Sequence, residues 1–331
     1  MRPNRTSVQF DMRAPDFGTP AATLYPAALE MAEFADAAGI DRIGLMEHHQ
    51  SDDGYLPAPF VMGGAVAART RRIRITLGAV ILPLHDPVKI AEQIAVLDLI
   101  SGGRMEVIFG AGYVPNEFAA FEVSLRDRGK LLDKGIEIII RALEGERFEK
   151  DGRPVFVRPL PIQPVREILM GGGGVAASAK RAGRFGIGYS PLHDGFNDLY
   201  YQECEAAGHK PGTVYGSGLP LNVHLSEDPD ATWPKVMPHF AHMAQSYAKW
   251  AEQEGTATNS PFAGLETAEK MQASGIFVVL TPEQLLARAG EFVQNNRSIN
   301  FMPLIGGMAP DLGWESLRLA AERVVPHLPK I

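Results

Sequence analysis

Residues 72–112 read RIRITLGAVILPLHDPVKIAEQIAVLDLISGGRMEVIFGAG, which is two apolar β-rich runs joined by one helical segment. Both runs are apolar on two faces, as parallel strands covered by helices require. Asp86 is a plausible N-cap with Pro87 at the first helical position, and the glycines at 102–103 end the helix just before the next run. The stretch therefore predicts a β-α-β unit of a parallel sheet.

The same alternation of β-rich runs and helical segments continues along the chain. The β-rich runs lie at 7–12, 42–47, 72–82, 104–112, 167–171, 185–190, 219–225 and 299–307. Segments such as 25–40 and 133–143 carry apolar residues three and four apart, which indicates amphipathic helices between the runs. Strict alternation over eight units predicts an α/β fold, a closed (β/α)8 TIM barrel with short insertions, in a single domain spanning residues 1–331. The Pro-rich piece at 149–165 is interpreted as a turn-and-strand excursion.

Composition limits the class of partner. The chain has 331 residues, 45% of them hydrophobic, and a net charge of -7. It therefore lacks the basic field that attracts nucleic acid or an anionic membrane, and a small-molecule substrate is expected. The single cysteine, Cys204, excludes an internal disulfide, and no stretch reaches the roughly 18 apolar residues of a membrane span. We expect a cytoplasmic, soluble protein.

Candidate functional residues are those that follow the β-rich runs, because active sites of such barrels lie at the carboxyl ends of the strands. This rule selects Asp11, the Glu47-His48-His49 triplet, residues 78–82 and 110–113, the glycines at 171–174, Tyr189, Ser190 and residues 304–307.

Two of these groups suggest a phosphorylated cofactor with a flat ring. Four glycines, Gly171, Gly172, Gly173 and Gly174, precede a helix that opens near Val175, so that backbone N–H groups and the helix N-terminus could bind a phosphate. A turn without a ligand would use the same residues. The small residues Gly78, Ala79 and Gly112 leave room for a ring against the backbone, although tight barrel packing also favours small residues.

The histidine pair has three interpretations: a metal site, a structural pair and a proton-transfer group. Adjacent residues of an extended chain point to opposite sides, so His48 and His49 do not readily share one metal. No second cluster of ligand type is evident, His85 and Asp86 being the nearest candidates, and we expect no metal. We favour at least one imidazole at the barrel mouth that moves protons or hydrogen-bonds an anionic intermediate.

Four segments resemble the bacterial luciferase-like monooxygenases and flavin-dependent oxidoreductases. They are EHHQSDDGYLPAP at 47–59, the long block at 70–118, GGGGVAASAKRAGRFGIGY at 171–189 and FMPLIGGM at 301–308. The resemblance covers nearly the whole chain in order, and the block at 70–118 is specific. It implies a (β/α)8 barrel that binds FMN, or the related deazaflavin coenzyme (F-420), at the carboxyl ends of its strands.

Position by position, the resemblance implies roles for particular residues. His48 corresponds to the histidine near the flavin reaction centre, Gly78 and Ala79 to a non-proline cis peptide behind the flavin ring, and residues 171–175 to the phosphate-binding turn. The arginine that follows the fourth strand in luciferases is replaced here by Ala111. The glycine turn is more similar to deazaflavin-using relatives, whereas the Glu-His-His triplet is typical of the FMN branch.

The resemblance implies a monooxygenase that uses reduced FMN, supplied by a separate flavin reductase, and O2 to oxidise a small organic substrate. A hydride-transfer oxidoreductase that uses the deazaflavin coenzyme is the first alternative. A non-catalytic flavin-binding protein is the second, and a metal-dependent barrel hydrolase is the third. Segments 59–70 and 87–100 carry small and apolar residues on more than one face, which suggests a homodimer interface.

Overall fold

The computed structural model describes residues 5–255, 262–265, 267–294 and 297–328. The strands are β1 (Thr6–Phe10), β2 (Arg42–Leu45), β3 (Arg74–Ile81), β4 (Met105–Gly110), β5 (Phe148–Lys150), β6 (Arg153–Val155), β7 (Leu169–Gly173), β8 (Gly188–Pro191), β9 (Asn222–Leu225), β10 (Phe277–Leu280) and β11 (Ile299–Phe301). The α-helices are α1 (Ala21–Ala38), α2 (Pro59–Arg69), α3 (Pro87–Ser101), α4 (Pro115–Ala120), α5 (Arg128–Leu143), α6 (Val165–Ile168), α7 (Ala176–Phe185), α8 (Asn197–Ala206), α9 (Pro229–Glu254), α10 (Ala268–Ser274), α11 (Pro282–Gln294) and α12 (Pro310–Leu319).

Seven parallel strands form one curled sheet in the order β11-β1-β2-β3-β4-β7-β8. Val8 pairs with Ile43, and Ile43 pairs in turn with Ile75, so the central strands place apolar residues side by side. All three side chains are buried. Helices cover the sheet, which explains why the strands are apolar on two faces.

The predicted closed barrel of eight strands was wrong. The run at 219–225 does form a strand, β9, but β9 pairs with β10, a strand that the sequence did not indicate. Among the described residues the parallel ladder therefore stops at seven strands, as a curled half-barrel.

Between β9 and β11, hydrogen bonds of side-chain amides take the place of a backbone ladder. Asn222 Oδ1 accepts a hydrogen bond from the backbone N–H of Met302 at 2.8 Å, and Asn300 Nδ2 donates to the carbonyl of Leu221 at 2.9 Å. These bonds satisfy buried backbone groups that a closed ladder would have paired. The short strands thus lie side by side without a continuous backbone register.

The local signals in the sequence were confirmed. The Asp86 carboxylate accepts hydrogen bonds from Val88 N–H at 2.8 Å and Lys89 N–H at 3.2 Å, so it caps α3. Gly102 ends α3 in the left-handed region with φ 66°. The excursion after α5 contains the antiparallel hairpin β5–β6, whose turn places Gly152 at φ 73°. No described helix is long and apolar enough to cross a membrane.

Candidate active site

Parallel pairing brings the carboxyl ends of β1, β2, β3 and β4 to one edge of the sheet. The Glu47-His48-His49 triplet follows β2 at this edge. Its two imidazoles contact different neighbours, as the extended chain predicted: His48 contacts Glu117 at the start of α4, and His49 contacts Glu47.

His48 forms a buried pair with a carboxylate. Its Nδ1 lies 2.8 Å from Glu117 Oε1, and the same oxygen accepts the backbone N–H of His49 at 2.8 Å. Glu117 is completely buried, and its Oε2 has no hydrogen-bond partner among the described residues. The ring of His48 stacks on Trp250 with centroids 4.3 Å apart. The imidazole is therefore fixed through Nδ1, while Nε2 forms no hydrogen bond with the part of the chain that the structure describes.

A buried arginine lies beside this pair. Arg13 is completely buried, donates to Asp53 Oδ2 at 2.5 Å, and stacks its guanidinium over Tyr55 at 4.4 Å and Trp250 at 5.1 Å. Its Nε and Nη2 have no hydrogen-bond partner among the described residues. Tyr55 Oη lies 3.0 Å from Tyr247 Oη. Arginine and aromatic rings thus close the mouth of the half-barrel around His48.

Two carboxylates near Arg13 have opposite pKa shifts. Burial raises the pKa of Asp11 to about 6, although Arg13 and the backbone N–H groups of Gly306 and Arg13 lower it in part. Burial also disfavours ionised Asp53, but hydrogen bonds from His242 and Arg13 outweigh it, and its pKa is well below the usual range. Asp53 is therefore the permanent counterion of Arg13, whereas Asp11 titrates near neutrality.

Glu47 binds a second group of residues on the other side of the triplet. Its Oε2 accepts the backbone N–H of Ile81 at 2.6 Å, and its Oε1 lies 2.7 Å from His85 Nε2 and 3.3 Å from His49 Nε2. Burial disfavours the ionised form, but these neighbours outweigh it and lower the pKa of Glu47 to about 2. Of the two nearest further candidates in the sequence, the end of β3 brings His85 to Glu47, whereas Asp86 caps α3.

The predicted ring-binding wall is built from small residues. The Gly78–Ala79 peptide bond is cis, as the resemblance implies. A Cβ on Gly110 would lie 3.0 Å from Ala79 Cβ, so β3 and β4 touch closely here. Gly112 has φ 70°, and its Cβ would lie 2.5 Å from Ile81 Cγ2. Packing alone thus requires glycine at position 112, and also at 78, where a Cβ would lie 2.8 Å from Ile108 Cδ1. Gly78, Ala79 and Gly110 are nevertheless partly exposed.

The glycine run is divided between strand and turn, which corrects the expectation of one continuous phosphate turn. Gly171, Gly172 and Gly173 belong to β7, and a Cβ on Gly172 would lie 2.7 Å from Ile108 Cγ2. Only Gly174 and Val175 form the turn, and α7 begins at 176, as predicted. No side chain of the described residues caps α7. Its first N–H groups therefore suit an anion such as a phosphate, so the turn fits the flavin phosphate.

Comparison with known proteins decides the family. The family model for luciferase-like monooxygenases matches residues 10–295. The chain belongs to the luciferase-like monooxygenase family. The structure of the monooxygenase RslO1 from Streptomyces bottropensis is similar, with 27% sequence identity and a TM-score of 0.73. The match covers 97% of this chain and 99% of RslO1.

Curated relatives in this family match over shorter stretches. The 4-hydroxyprotoasukamycin monooxygenase of Streptomyces nodosus subsp. asukaensis is 33% identical over 118 residues, which are 36% of this chain and 32% of that protein. Across the first relatives, this chain spans 30% to 53% of their length.

More distant structures share the fold alone. The oxygenating constituent of 3,6-diketocamphane monooxygenase from Pseudomonas putida, solved with FMN, is 17% identical with a TM-score of 0.74 over 99% of each chain. An F-420-dependent secondary alcohol dehydrogenase is 15% identical with a TM-score of 0.71, over 99% of this chain and 100% of that one.

Sequence reasoning missed several residues of this luciferase-like site. Arg13 lies two positions after the selected Asp11, so the strand-end rule would have found it if extended by two residues. Glu117 falls within the block that resembles the family, but nothing in its spacing indicated a partner for His48. Trp250 lies near the end of the 26-residue helix α9, far from any strand end. Tyr189, which the rule did select, is buried in the core and bonds the carbonyl of Gly173 at 3.3 Å.

The raised pKa of Asp11 predicts a pH dependence of stability. A folded-state pKa near 6 means that the folded protein binds this proton more tightly than the unfolded chain. At pH 7 the buried, ionised Asp11 therefore lowers the free energy of unfolding, and this destabilisation disappears as the pH falls through 6 and the carboxylate is protonated. We expect the free energy of unfolding of the wild type, relative to Asp11→Asn, to rise by about 1 kcal/mol from pH 7 to pH 5.

Urea unfolding at pH 5, 6 and 7 measures this difference. Asp52→Asn, which makes the same change at an exposed position next to Asp53 in the sequence, is the matched control. A difference between wild type and Asp11→Asn that stays constant over this range would contradict the assignment.

Proposed function

We propose that this chain is a flavin-dependent monooxygenase that uses reduced FMN and O2 to oxidise a small organic substrate. The observation that carries the proposal is the buried His48–Glu117 pair at the mouth of a luciferase-like half-barrel, 2.8 Å between Nδ1 and Oε1. A separate flavin reductase would supply the reduced cofactor. Bound reduced FMN would provide the electrons for reaction with O2.

The chain offers a subsite for each part of FMN. The turn at Gly174 and Val175, with the uncapped N-terminus of α7, would hold the phosphate. The small residues Gly78, Ala79 and Gly110 would lie against the ring. His193 Nε2 lies 3.1 Å from the carbonyl of Gly174, which places an imidazole beside the phosphate turn.

His48 would hold or move a proton at Nε2, because Nδ1 is already bonded to Glu117. An imidazole suits this work near neutral pH, and a fixed ring avoids the cost of orienting it during the reaction. The stacked Trp250 and the phenol rings of Tyr55 and Tyr247 would exclude water from the reacting groups.

The second candidate is hydride transfer with the deazaflavin coenzyme. The observation that favours it is the short glycine turn together with Ala111, since phosphate binding here would depend on backbone N–H groups. The fold is also shared with an F-420-dependent dehydrogenase. A cofactor titration separates the two candidates.

The first functional prediction concerns cofactor binding. Gly174→Asp places a carboxylate at the phosphate turn, where its Cβ would approach only the exposed side chain of Leu192, so the fold should persist. We expect fluorescence titration to show tight FMN binding by the wild type and at least tenfold weaker binding by the variant, because like charges repel. Gly290→Asp adds the same charge at an exposed helix position with open space and should bind as the wild type does.

Tight binding of the deazaflavin coenzyme in place of FMN would select the second candidate. The titration is repeated anaerobically with reduced FMN, and binding of neither coenzyme in either oxidation state by a folded wild type would remove the redox proposal altogether.

The second functional prediction concerns His48. We expect His48→Ala to slow the reoxidation of bound reduced FMN by O2 by at least tenfold, which is within the usual range for loss of an acid-base group. The dissociation constant of FMN should stay within a few fold of the wild-type value. Glu117→Gln should have a smaller effect in the same direction, since glutamine can keep a hydrogen bond to Nδ1. Stopped-flow absorbance measures the rate, and His327→Ala, at an exposed position, is the control. Wild-type reoxidation in His48→Ala would exclude this residue from the chemistry.

We also propose a homodimer formed through α2 and α3. Four apolar side chains of these helices are exposed: Val61 at 75%, Ile100 at 54%, Val96 at 44% and Leu99 at 41%. Apolar side chains exposed on neighbouring helices often mark an interface.

Light scattering should give a dimer for the wild type and a monomer for the double variant Val61→Asp/Ile100→Asp. Leu192→Asp, at an equally exposed position elsewhere, should stay dimeric, and a monomeric wild type would contradict the proposal.

A further inference from the structure

Three side chains that the proposed flavin chemistry does not use converge behind the triplet. Oxygen Oε1 of Glu47 lies 2.7 Å from His85 Nε2 and 3.3 Å from His49 Nε2, and the three ligand-type atoms lie within 4.8 Å of one another. Ligands of one Zn²⁺ at about 2.1 Å in a tetrahedron lie about 3.4 Å apart. The two separations from Glu47 Oε1 are within about 0.7 Å of this value, and the third needs to change by at most about 1.4 Å for the cluster to enclose one ion.

One of these contacts is poorly aligned. The side chain of His49 is only 9% exposed, and its Nε2 lies 3.3 Å from Glu47 Oε1 without forming a hydrogen bond of good geometry to any residue that the structure describes. A buried polar nitrogen without a well-formed hydrogen bond costs free energy. A cation held between Nε2 and the carboxylate would satisfy both atoms.

The carboxylate is fixed by its other oxygen. Oε2 of Glu47 accepts the backbone N–H of Ile81 at 2.6 Å, so Oε1 is oriented toward the two imidazoles. Such hydrogen bonds behind the ligands orient them in metal sites. The three groups come from two rigid strand ends, β2 and β3, and their positions are set by the sheet.

In the single chain, a cavity beside α2 and α3 opens to the cluster. Its volume is about 280 Å³, and Glu47, Pro57, Leu84 and His85 contribute to its wall. The side chain of His85 is 24% exposed and lines the cavity beside Glu47. The cavity has room for water to complete the coordination of an ion.

We propose that Glu47, His49 and His85 bind one transition-metal dication. Two imidazoles and one carboxylate with open positions are a donor set typical of Zn²⁺ and Fe²⁺. Calcium and magnesium prefer sets made of oxygen, and two of these three donors are nitrogen. The site is distinct from the flavin subsites and its occupancy does not depend on the proposed function.

Zn²⁺ itself is the probe. Tag-free, flavin-free protein is stripped with chelator and titrated with Zn²⁺ by calorimetry, and the bound metal is counted by atomic emission after dialysis. We expect one Zn²⁺ per chain and a rise in the thermal midpoint of unfolding. His85→Ala and His49→Ala should each weaken binding by at least tenfold, because loss of a ligand costs at least as much as loss of a group behind it.

His327→Ala removes one exposed imidazole outside the cluster and should bind as the wild type does. His85→Asn is a second variant in case His85→Ala is poorly folded, as judged by circular dichroism. Absence of stoichiometric Zn²⁺ binding by the wild type overturns the proposal. Wild-type affinity in folded His85 and His49 variants overturns it equally, and because the protein is flavin-free, neither result bears on flavin binding.

Discussion

Parallel pairing of β1, β2, β3 and β4 is the constraint on which the site depends. In a parallel sheet all carboxyl ends meet at one edge, so residues that are far apart in the chain become neighbours. Glu47 reaches the N–H of Ile81 and the ring of His85 only because β2 and β3 run side by side in register. Glu117 reaches His48 because the segment after β4 returns across the same edge.

Buried charge at this edge is compensated in pairs. Arg13 would be intolerable alone in an apolar interior, but the ionised Asp53 is bonded to it and aromatic faces cover its guanidinium. His242 bonds the same carboxylate at 2.6 Å and ties α9 to this network. Nε and Nη2 of Arg13 and Oε2 of Glu117, which form no hydrogen bond with the described part of the chain, make the mouth polar inside an aromatic enclosure. Such an enclosure suits a reaction that must exclude water while charge develops.

The residues of the triplet contact two separate groups of side chains, because adjacent residues of an extended chain point to opposite sides. His48 points to the mouth of the half-barrel and contacts Glu117, and His49 points behind it to Glu47 and His85. One short segment therefore contributes to a buried histidine–carboxylate pair and to a group of metal-ligand type. Backbone N–H groups bond to the carboxylates of Glu47 and Glu117, and each carboxylate in turn holds one imidazole of the triplet. The two imidazoles therefore need no direct contact with each other.

The sequence by itself determined the α/β alternation, the caps of α3, the glycine stop after it and the family, because these depend on local spacing and on ordered motifs. It also selected His48 and the glycine turn, since strand ends follow from periodicity. Only the tertiary structure decided that the ladder stops at seven strands, because β10 and the amide bonds of Asn222 and Asn300 have no periodic signal. The partners Glu117, Arg13 and Trp250 were likewise decided by packing, since contacts between distant segments depend on strand register and helix placement.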